Sequence, residues 1–536
     1  MVKGGVPKTL DLDDSNTRER VLALLRAIQA MPEGERDISP LLREYPSATG
    51  TYAKSQLIRA YRQLREEGII AGDRRLERLL RGRPVRTISG VAPVAVLTEP
   101  YPCPGDCIFC PNQAEAPKSY LDGEPGVLRA LQFDYDPYAQ TRGRMEALHA
   151  IGHHVDKIEL LVLGGTWSCY PEAYQTRFLR RCFDALNERE APSLAQALRW
   201  NETAPHRNVG LVIETRPDCI TPGEVLRLRQ QGVTKVQLGI QSLDDKILAL
   251  NKRGHRVTET RRAMRLLRLA GFKVVAHWMP NLYGATPESD LADFRRVWDD
   301  PAIRPDEMKL YPTALLEGTD LYELWAAGKY EPYTEETLIE LLKRCKLRVP
   351  PYCRLNRVMR DIPANYIVAG TKRSNLRQMV QQRMAKEGLR CRCVRCREIR
   401  GRSTPESIEA AQLAPVVYET DATQEQFLQF VTPEDRLAAF LRLSLPRAPR
   451  DEIPIPEIRT AAMVREVHVY GPAQALGAQG RGGQHHGLGT ELLEIAAQRA
   501  REAGFEELAV IAAVGTRRYY RERGFTEGDL YPLRPL

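Results

Sequence analysis

Apolar residues near the start of the chain recur with a helical period. RERVLALLRAIQAM puts Val21, Leu24, Leu25 and Ile28 on one face, and TYAKSQLIRAYRQLREEG does the same with Leu57, Ile58, Tyr61 and Leu64 before Gly68. That spacing predicts amphipathic helices, so residues 1–85 read as a small helical module. From 86 to 390 the pattern changes. Short apolar runs (VAVLT, KIELLVLGG, VGLVIET, KVQLGIQS, KVVAHWMP) alternate with helical stretches such as TRGRMEALHAIG and TRRAMRLLRLAG. Such alternation predicts an α/β fold with a parallel sheet or barrel. A basic, cysteine-dense junction, CRCVRCREIRGRST, fills 391–404. A second α/β pattern occupies 405–536: VVYET, LAAFLRLSL, MVREVHVYG, a glycine-rich turn, a helix and EELAVIAAV.

The length, 536 residues, agrees with several domains. Hydrophobic residues at 43% and charged residues at 27% exclude wholesale disorder and a fibrous architecture. No apolar run approaches the roughly 18 residues of a membrane helix. The opening MVKGGVPKTLDLDD lacks the apolar segment of a secretory signal. A cytoplasmic chain without a membrane partner is therefore expected. Lys plus Arg exceed Asp plus Glu by 78 to 69, which permits a polyanion such as RNA and does not establish one. In RRLERLLRGRPVR, Arg74, Arg75, Arg78, Arg81, Arg83 and Arg86 face a single acid, Glu77. This stripe is read either as a phosphate-binding surface or as a solvated helix face.

Eleven cysteines in a cytosolic chain are not expected to be disulfides, so their spacing decides their meaning. Cys103, Cys107 and Cys110 in YPCPGDCIFCPN are spaced C-x3-C-x2-C, directly after the strand VAVLT. Three thiolates with no fourth nearby suit a cubane iron–sulfur cluster with one iron left open, in a loop at the C-terminal end of a barrel strand. A zinc knuckle with a remote fourth ligand is the alternative. Cys391, Cys393 and Cys396 (C-x-C-x2-C) suggest a structural zinc, its fourth ligand coming from Cys353 or Cys345, with Cys353 preferred. The alternative is a basic loop with incidental cysteines. Cys169, Cys182 and Cys219 are isolated in sequence and expected to be buried.

Several polar residues end the predicted strands: Gly164-Gly165-Thr166, Glu214 and Arg216, Gln237 and Gln241, and His277, with His255 in a loop. Gly164-Gly165 allows backbone carbonyls to approach a ligand closely. In the C-terminal segment, Gln484-His485-His486-Gly487-Leu488-Gly489-Thr490 gives Q-x-x-G-x-G at the start of a helix. Exposed N–H groups and the helix dipole make such a turn a pyrophosphate cradle. RRYYRERGF follows, whose Tyr519 and Tyr520, read alone, pack on the sheet.

The first cluster resembles that of the radical S-adenosylmethionine enzymes, and the C-terminal order resembles the GNAT acetyltransferase fold. Their combination in one chain is similar to the Elongator complex protein 3 family in its stand-alone bacterial or archaeal form. YDPYAQTRGRMEALHAIGHHVDKIELLVLGGTW, ETRPD, QSLDDKILALNKRGH, YELW, RVMRDIPA, REVHVYG and QHHGLGT carry the match. The resemblance implies a partial TIM-type barrel joined to a GNAT unit. It also implies a [4Fe–4S] cluster on Cys103, Cys107 and Cys110, with S-adenosylmethionine held by Gly164, Gly165, Thr166, Glu214, Arg216 and Gln241. Acetyl-coenzyme A is expected against Lys157, the strand Glu466-Val467-His468-Val469, the turn Gln484 to Thr490, and Tyr519. Tyr519, Tyr520, His255 and His277 are the catalytic candidates. Many family members lack the third cysteine of the second group, Cys396.

The activity so implied is modification of the tRNA wobble uridine. A 5′-deoxyadenosyl radical takes hydrogen from the acetyl methyl, the carbon radical adds to uracil C5, and oxidation and thioester hydrolysis leave 5-carboxymethyluridine. Expected partners are a tRNA anticodon stem-loop and an electron donor such as ferredoxin or flavodoxin, with the chain a monomer or homodimer. Two other classes compete: a protein lysine acetyltransferase using only the GNAT unit, and a tRNA-binding scaffold.

Overall fold

Seven strands follow one another across a sheet without reordering. They are β1 (Ala92–Leu97), β2 (Lys157–Leu163), β3 (Arg207–Thr215), β4 (Lys235–Gln241), β5 (Lys273–Trp278), β6 (Glu307–Leu310) and β7 (Arg354–Arg357), and every neighbouring pair is parallel. Sequential order with helical crossovers is the βα wind of a barrel. β1 and β7 stay unpaired with each other among the described residues, so the barrel is partial. The computed structural model describes residues 10–35, 37–47, 50–82, 87, 90–399, 405–471 and 487–536.

The five longer strands coincide with the predicted apolar runs. β6 (EMKL) and β7 (RLNR) escape prediction because each has four residues and carries charge. Glu307, Lys309, Arg354 and Arg357 line an internal cavity rather than a dry core.

Before the barrel stand four helices: α1 (Ser15–Gln29), α2 (Ser39–Glu44), α3 (Lys54–Glu66) and α4 (Arg74–Leu80). The Asp14 carboxylate caps α1 by accepting from Thr17 N–H at 2.9 Å. Val21, Leu24, Leu25, Ile28, Leu57, Ile58, Tyr61 and Leu64 are buried in a core of their own. Gly68 takes φ +74° just past α3, where a Cβ is disfavoured. Arg62 Nη1 donates to His149 O at 2.7 Å and docks the module on the barrel.

The second sheet comprises β8 (Gln412–Leu413), β9 (Val416–Glu419), β10 (Thr423–Val431), β11 (Leu437–Pro446), β12 (Ala461–Val469), β13 (Glu507–Val510), β14 (Thr526–Glu527) and β15 (Pro532–Pro535). Its order is β14-β15-β13-β12-β11-β10-β8, with β9 also on β10. β10 (TQEQFLQFV) is hidden in the sequence because Glu425, Gln426 and Gln429 are polar yet buried. One apolar cluster runs from the barrel into this sheet. A Cβ on Gly271, after the Val257–Leu269 helix, would meet Met463 Cγ of β12 at 2.9 Å. No helix among the described residues is long and apolar enough to cross a membrane.

Candidate functional site

A cavity of about 1170 Å³ extends from the C-terminal ends of the barrel strands to β11 and β12 of the second sheet. Cys103, Cys107 and Cys110 line one part of it, and Phe440, Glu466 and His468 another. Charged residues occupy its middle. Lys235 Nζ lies 2.8 Å from Glu159 and 3.0 Å from Glu307, and Lys273 Nζ lies 3.1 Å from Glu466 across the junction of the two sheets. Burial lowers the pKa of Lys235, but the carboxylates outweigh that effect and hold it well above the ordinary lysine value.

The cysteine loop follows β1, as the spacing predicts. Cys107 and Phe109 are buried in a cluster with Leu282, Leu315 and Leu321. The Cys107 thiol is drawn down to about 5, first by a hydrogen bond from Cys110 and then, against burial, by the Arg253 and Arg216 guanidiniums. Arg253 Nη1 donates to Cys107 Sγ at 3.0 Å. Cys103 lies beside Thr166, Sγ to Oγ1 3.6 Å.

Around them sit polar atoms without partners. Arg216 Nη1, Arg253 Nε and Gln241 Oε1 are buried and unpaired, and all three residues line the cavity. Unsatisfied buried groups of this kind call for a ligand. Gln241, at the end of β4, is held at φ +63°, strained for a residue other than glycine. Gly164 and Gly165 take φ +123° and +105°. A Cβ on Gly164 would come within 2.1 Å of Thr98 Oγ1, so the glycine is needed both for its dihedral angle and for the close packing. The donor set and the open polar atoms together fit a cluster and a small polar ligand.

Glu214 and Arg216 both line the cavity but do not pair with each other. Arg216 Nε binds Asp218 Oδ1 at 3.0 Å, while Glu214 faces His277 at 3.8 Å. His277 binds Gln237 at 3.0 Å, and burial with Lys309 nearby keeps it neutral. His255 is also buried and is drawn down to about 4 by desolvation and Arg253. It lies beside Arg253, Nε2 3.3 Å from Nη2, and is not among the cavity-lining residues. Arg253, two residues before His255 in NKRGH, was missed by the sequence reading; its position in that motif was the available signal.

In the second sheet, the β12–β13 pairing among the described residues spans Ala461–Val464, and β12 itself runs on to Val469. A bulge at Arg465, between the Arg442–Glu466 and Leu443–Val464 pairs, marks the parting. Glu466, Val467, His468 and Val469 lie beyond that pairing, next to the Leu488–Glu502 helix, where a Cβ on Gly489 would meet Val469 Cγ2 at 3.4 Å and whose N-cap Gly487 has φ +74°. Gly489 is packed so closely that a Cβ would meet Tyr519 Oη at 2.7 Å. Arg523 stacks on the Tyr519 ring at 3.6 Å. Burial raises the Tyr519 pKa and keeps its proton on. Tyr520 is buried against Phe525. Lys157 pairs in register with Arg207, and a Cβ on Gly515 of the C-terminal unit would meet Arg207 Cβ at 2.7 Å. Gln484, His485 and His486 lie outside the described residues.

Cys391, Cys393 and Cys396 converge, with their sulfurs all within 4.8 Å of one another. Cys353 and Cys345 do not join them. Cys353 is buried behind the group, its carbonyl accepting from Val394 N–H at 3.0 Å. Gln381 Nε2 and Lys346 Nζ lie 3.7 and 4.0 Å from Cys396 Sγ.

Two further expectations need correction. In the arginine stripe, Arg75 donates to Met31 O at 2.6 Å and Arg81 to Gly152 O at 3.0 Å, so both serve packing. Arg78 is exposed. Arg83, Arg86 and the Arg74 side chain lie outside the described residues. Of the three cysteines expected to be isolated and buried, only Cys182 is so; Cys169 and Cys219 are partly exposed and adjacent, 3.8 Å between sulfurs.

The Radical SAM superfamily profile matches residues 102–295, and the Radical_SAM C-terminal domain profile matches 305–386. A tRNA uridine(34) acetyltransferase of Dehalococcoides mccartyi is 46% identical over 444 residues, 82% of this chain and 96% of the relative. One of Methanocaldococcus infernus is 42% identical over 508 residues, 92% and 93% of the two chains. Human Elongator complex protein 3 is 37% identical over 473 residues, 85% and 86% of the two. The solved archaeal M. infernus Elp3 with N-terminus deletion (1–46) superposes with a TM-score of 0.73 at 40% identity, covering 84% of this chain and all of that one. With relatives this similar aligned along most of both chains, the chain belongs to the Elongator complex protein 3 family, within the radical S-adenosylmethionine superfamily.

Proposed function

We propose that this chain modifies the wobble uridine of tRNA, building 5-carboxymethyluridine from acetyl-coenzyme A. The observation that carries this reading is the cavity lined by both the cysteine loop and Glu466, Val467 and His468 of β12. Neither a lone acetyltransferase nor a scaffold needs such a shared space. Bound at Cys103, Cys107 and Cys110, a [4Fe–4S] cluster with S-adenosylmethionine supplies one-electron chemistry able to activate an unreactive C–H bond. That chemistry is required because a thioester methyl is a weak acid and uracil C5 carries no leaving group.

The chain's own residues supply the rest. Arg253 and Arg216 neutralise charge at the cysteine loop. Gly165 and Thr166, past the end of β2, offer backbone and hydroxyl groups to the cavity, and Glu214 and Gln241 at the ends of β3 and β4 line it beside them. The backbone of Glu466 to Val469 and the helix start at Gly487 to Thr490 bind the pantetheine and pyrophosphate of acetyl-coenzyme A. Tyr519, protonated at neutral pH, stands at that helix start and donates its proton when the thioester is released. The flipped uridine enters the barrel mouth, and a small electron-transfer protein provides the electron. A structural zinc on Cys391, Cys393 and Cys396 braces the junction.

The test is mass spectrometry of tRNA nucleosides after anaerobic incubation of reconstituted protein with tRNA, both small molecules and a reductant. The expected product is 5-carboxymethyluridine at the wobble position, lost in Cys107→Ser. Acetyl transfer to a lysine peptide without iron, and no modified nucleoside, would favour the protein acetyltransferase instead.

A further inference from the structure

Of the cysteines outside both metal groups, Cys169 and Cys219 face each other. Cys169 closes the single 3-10 turn Trp167–Cys169 after β2, and Cys219 closes the matching turn Pro217–Cys219 after β3. Each stands three residues beyond a cavity-lining residue, Thr166 in one loop and Arg216 in the other. The turns are already held together, because the Ser168 and Thr215 hydroxyls are hydrogen-bonded at 2.7 Å. The two sulfurs are 3.8 Å apart. A disulfide needs that gap closed to about 2.05 Å. Both residues are partly exposed, whereas Cys182 and Cys345 are sealed in the core.

We propose that Cys169 and Cys219 form a reversible thiol-oxidation site, closed to a disulfide by a two-electron oxidant of the peroxide class, that clamps the two turns beyond Thr166 and Arg216. The chemistry balances. The Cys169 thiolate attacks hydrogen peroxide, giving a sulfenic acid and hydroxide. The Cys219 thiol then displaces the sulfenic oxygen as water, leaving one S–S bond. Either sulfur can donate across the contact. With Cys219 as the donor, the Cys169 pKa is lowered against the effect of burial, and Arg216 adds to the lowering. The Cys219 pKa is raised by the same bond, making it the resolving partner. Regulatory disulfides of this transient kind do occur in reducing compartments.

The test uses the full chain, treated with hydrogen peroxide, alkylated, digested and mapped by mass spectrometry. The expected result is a Cys169–Cys219 linked peptide two hydrogens lighter, restored by dithiothreitol and absent in Cys169→Ser. Cys219→Ser is expected to leave Cys169 as a sulfenic acid that dimedone captures. Amide exchange in residues 166–170 and 216–220 should slow at least tenfold on oxidation, and not in Cys169→Ser. That variant also separates this bond from any formed by Cys103, Cys107 and Cys110. Equal alkylation of both thiols before and after peroxide, or sulfinic acid on Cys169 without linkage, would overturn the proposal. The readout needs no cofactor or tRNA, so it stands or falls apart from the proposed activity.

Discussion

Arg465, in the bulge of β12, donates to the carboxylate of Asp306 just before β6, and neither side chain reaches solvent. The pair joins the second sheet to the barrel. Arg465 also binds Glu425 at 2.9 Å, and Asp306 accepts from Val274 N–H at 2.9 Å. Removing Asp306 leaves Arg465 with Glu425 alone and Arg442 with Glu466 alone, a buried excess of positive charge that costs up to about 3–5 kcal/mol. Asp306→Ala is therefore expected to lower the unfolding midpoint sharply in calorimetry, and Arg465→Met added to it should restore part of the loss. Burial pushes the Asp306 pKa up, but Arg465 and Arg442 outweigh it and hold it below the ordinary carboxylate value. A depressed folded pKa stabilises above the unfolded value of about 3.9 and ceases to do so as pH falls below it. The gap between wild type and Asp306→Ala should thus be full at neutral pH and shrink below about pH 4.

Gly164→Ala tests the turn after β2. At φ +123° an L side chain costs roughly 1–2 kcal/mol, and the new methyl collides with Thr98 Oγ1. The loop should shift and draw Gly165 and Thr166 with it. Retention of S-adenosylmethionine by the reconstituted protein, measured by equilibrium dialysis, is expected to fall at least about tenfold, near 1.4 kcal/mol. Iron content should stay near that of the wild type, because no cysteine is touched.

Much of this was legible in the chain itself. The C-x3-C-x2-C spacing marks three cysteines and the GG two glycines by type and position, and the structure places them directly after β1 and β2. What stayed hidden has a common cause: contacts made across the two sheets. Lys235, Lys273, Glu307 and Glu466 read as ordinary strand charges until the fold brings them round one cavity. Glu425 makes β10 look like a polar loop because its partner, Arg465, is forty residues away. Arg75 looked like a phosphate ligand because sequence does not reveal the Met31 carbonyl that occupies it. Cys169 and Cys219 seemed isolated for the same reason, being fifty residues apart in the chain.

The two tyrosines of the C-terminal unit are expected to differ. Tyr519 lies against Gly489 at the helix start, whereas Tyr520 is packed in the core. Tyr519→Phe should reduce tRNA-stimulated acetyl-coenzyme A hydrolysis by about 10²–10⁴, the range for a lost proton donor. Tyr520→Phe should cost less. Gly489→Ala makes the same point without touching the tyrosine. Alanine favours the helix by up to about 1 kcal/mol, yet its methyl displaces the Tyr519 hydroxyl. Turnover should drop while the unfolding midpoint holds or rises, a combination that general destabilisation does not produce.

The second cysteine group offers a sharper discrimination between ligands. Cys391, Cys393 and Cys396 already converge, while Cys353 is not in that group and is engaged through its backbone, accepting from Val394 N–H and donating to Pro350 O. One zinc per chain is expected by plasma mass spectrometry. X-ray absorption should show three sulfurs at about 2.3 Å and one lighter donor completing the tetrahedron. Cys393→Ser should release the metal, and Cys353→Ser should keep it; retention of zinc by Cys393→Ser together with its loss from Cys353→Ser would reverse the assignment. Because Val394 hydrogen-bonds to Cys353 next to β7, and Glu398 bridges to Leu437 of β11, the ion sits where the barrel hands over to the second sheet. Its removal by a chelator should therefore loosen the junction first. Proteolysis is expected near residues 391–399 before either sheet is cut, with the iron of the first cluster still bound.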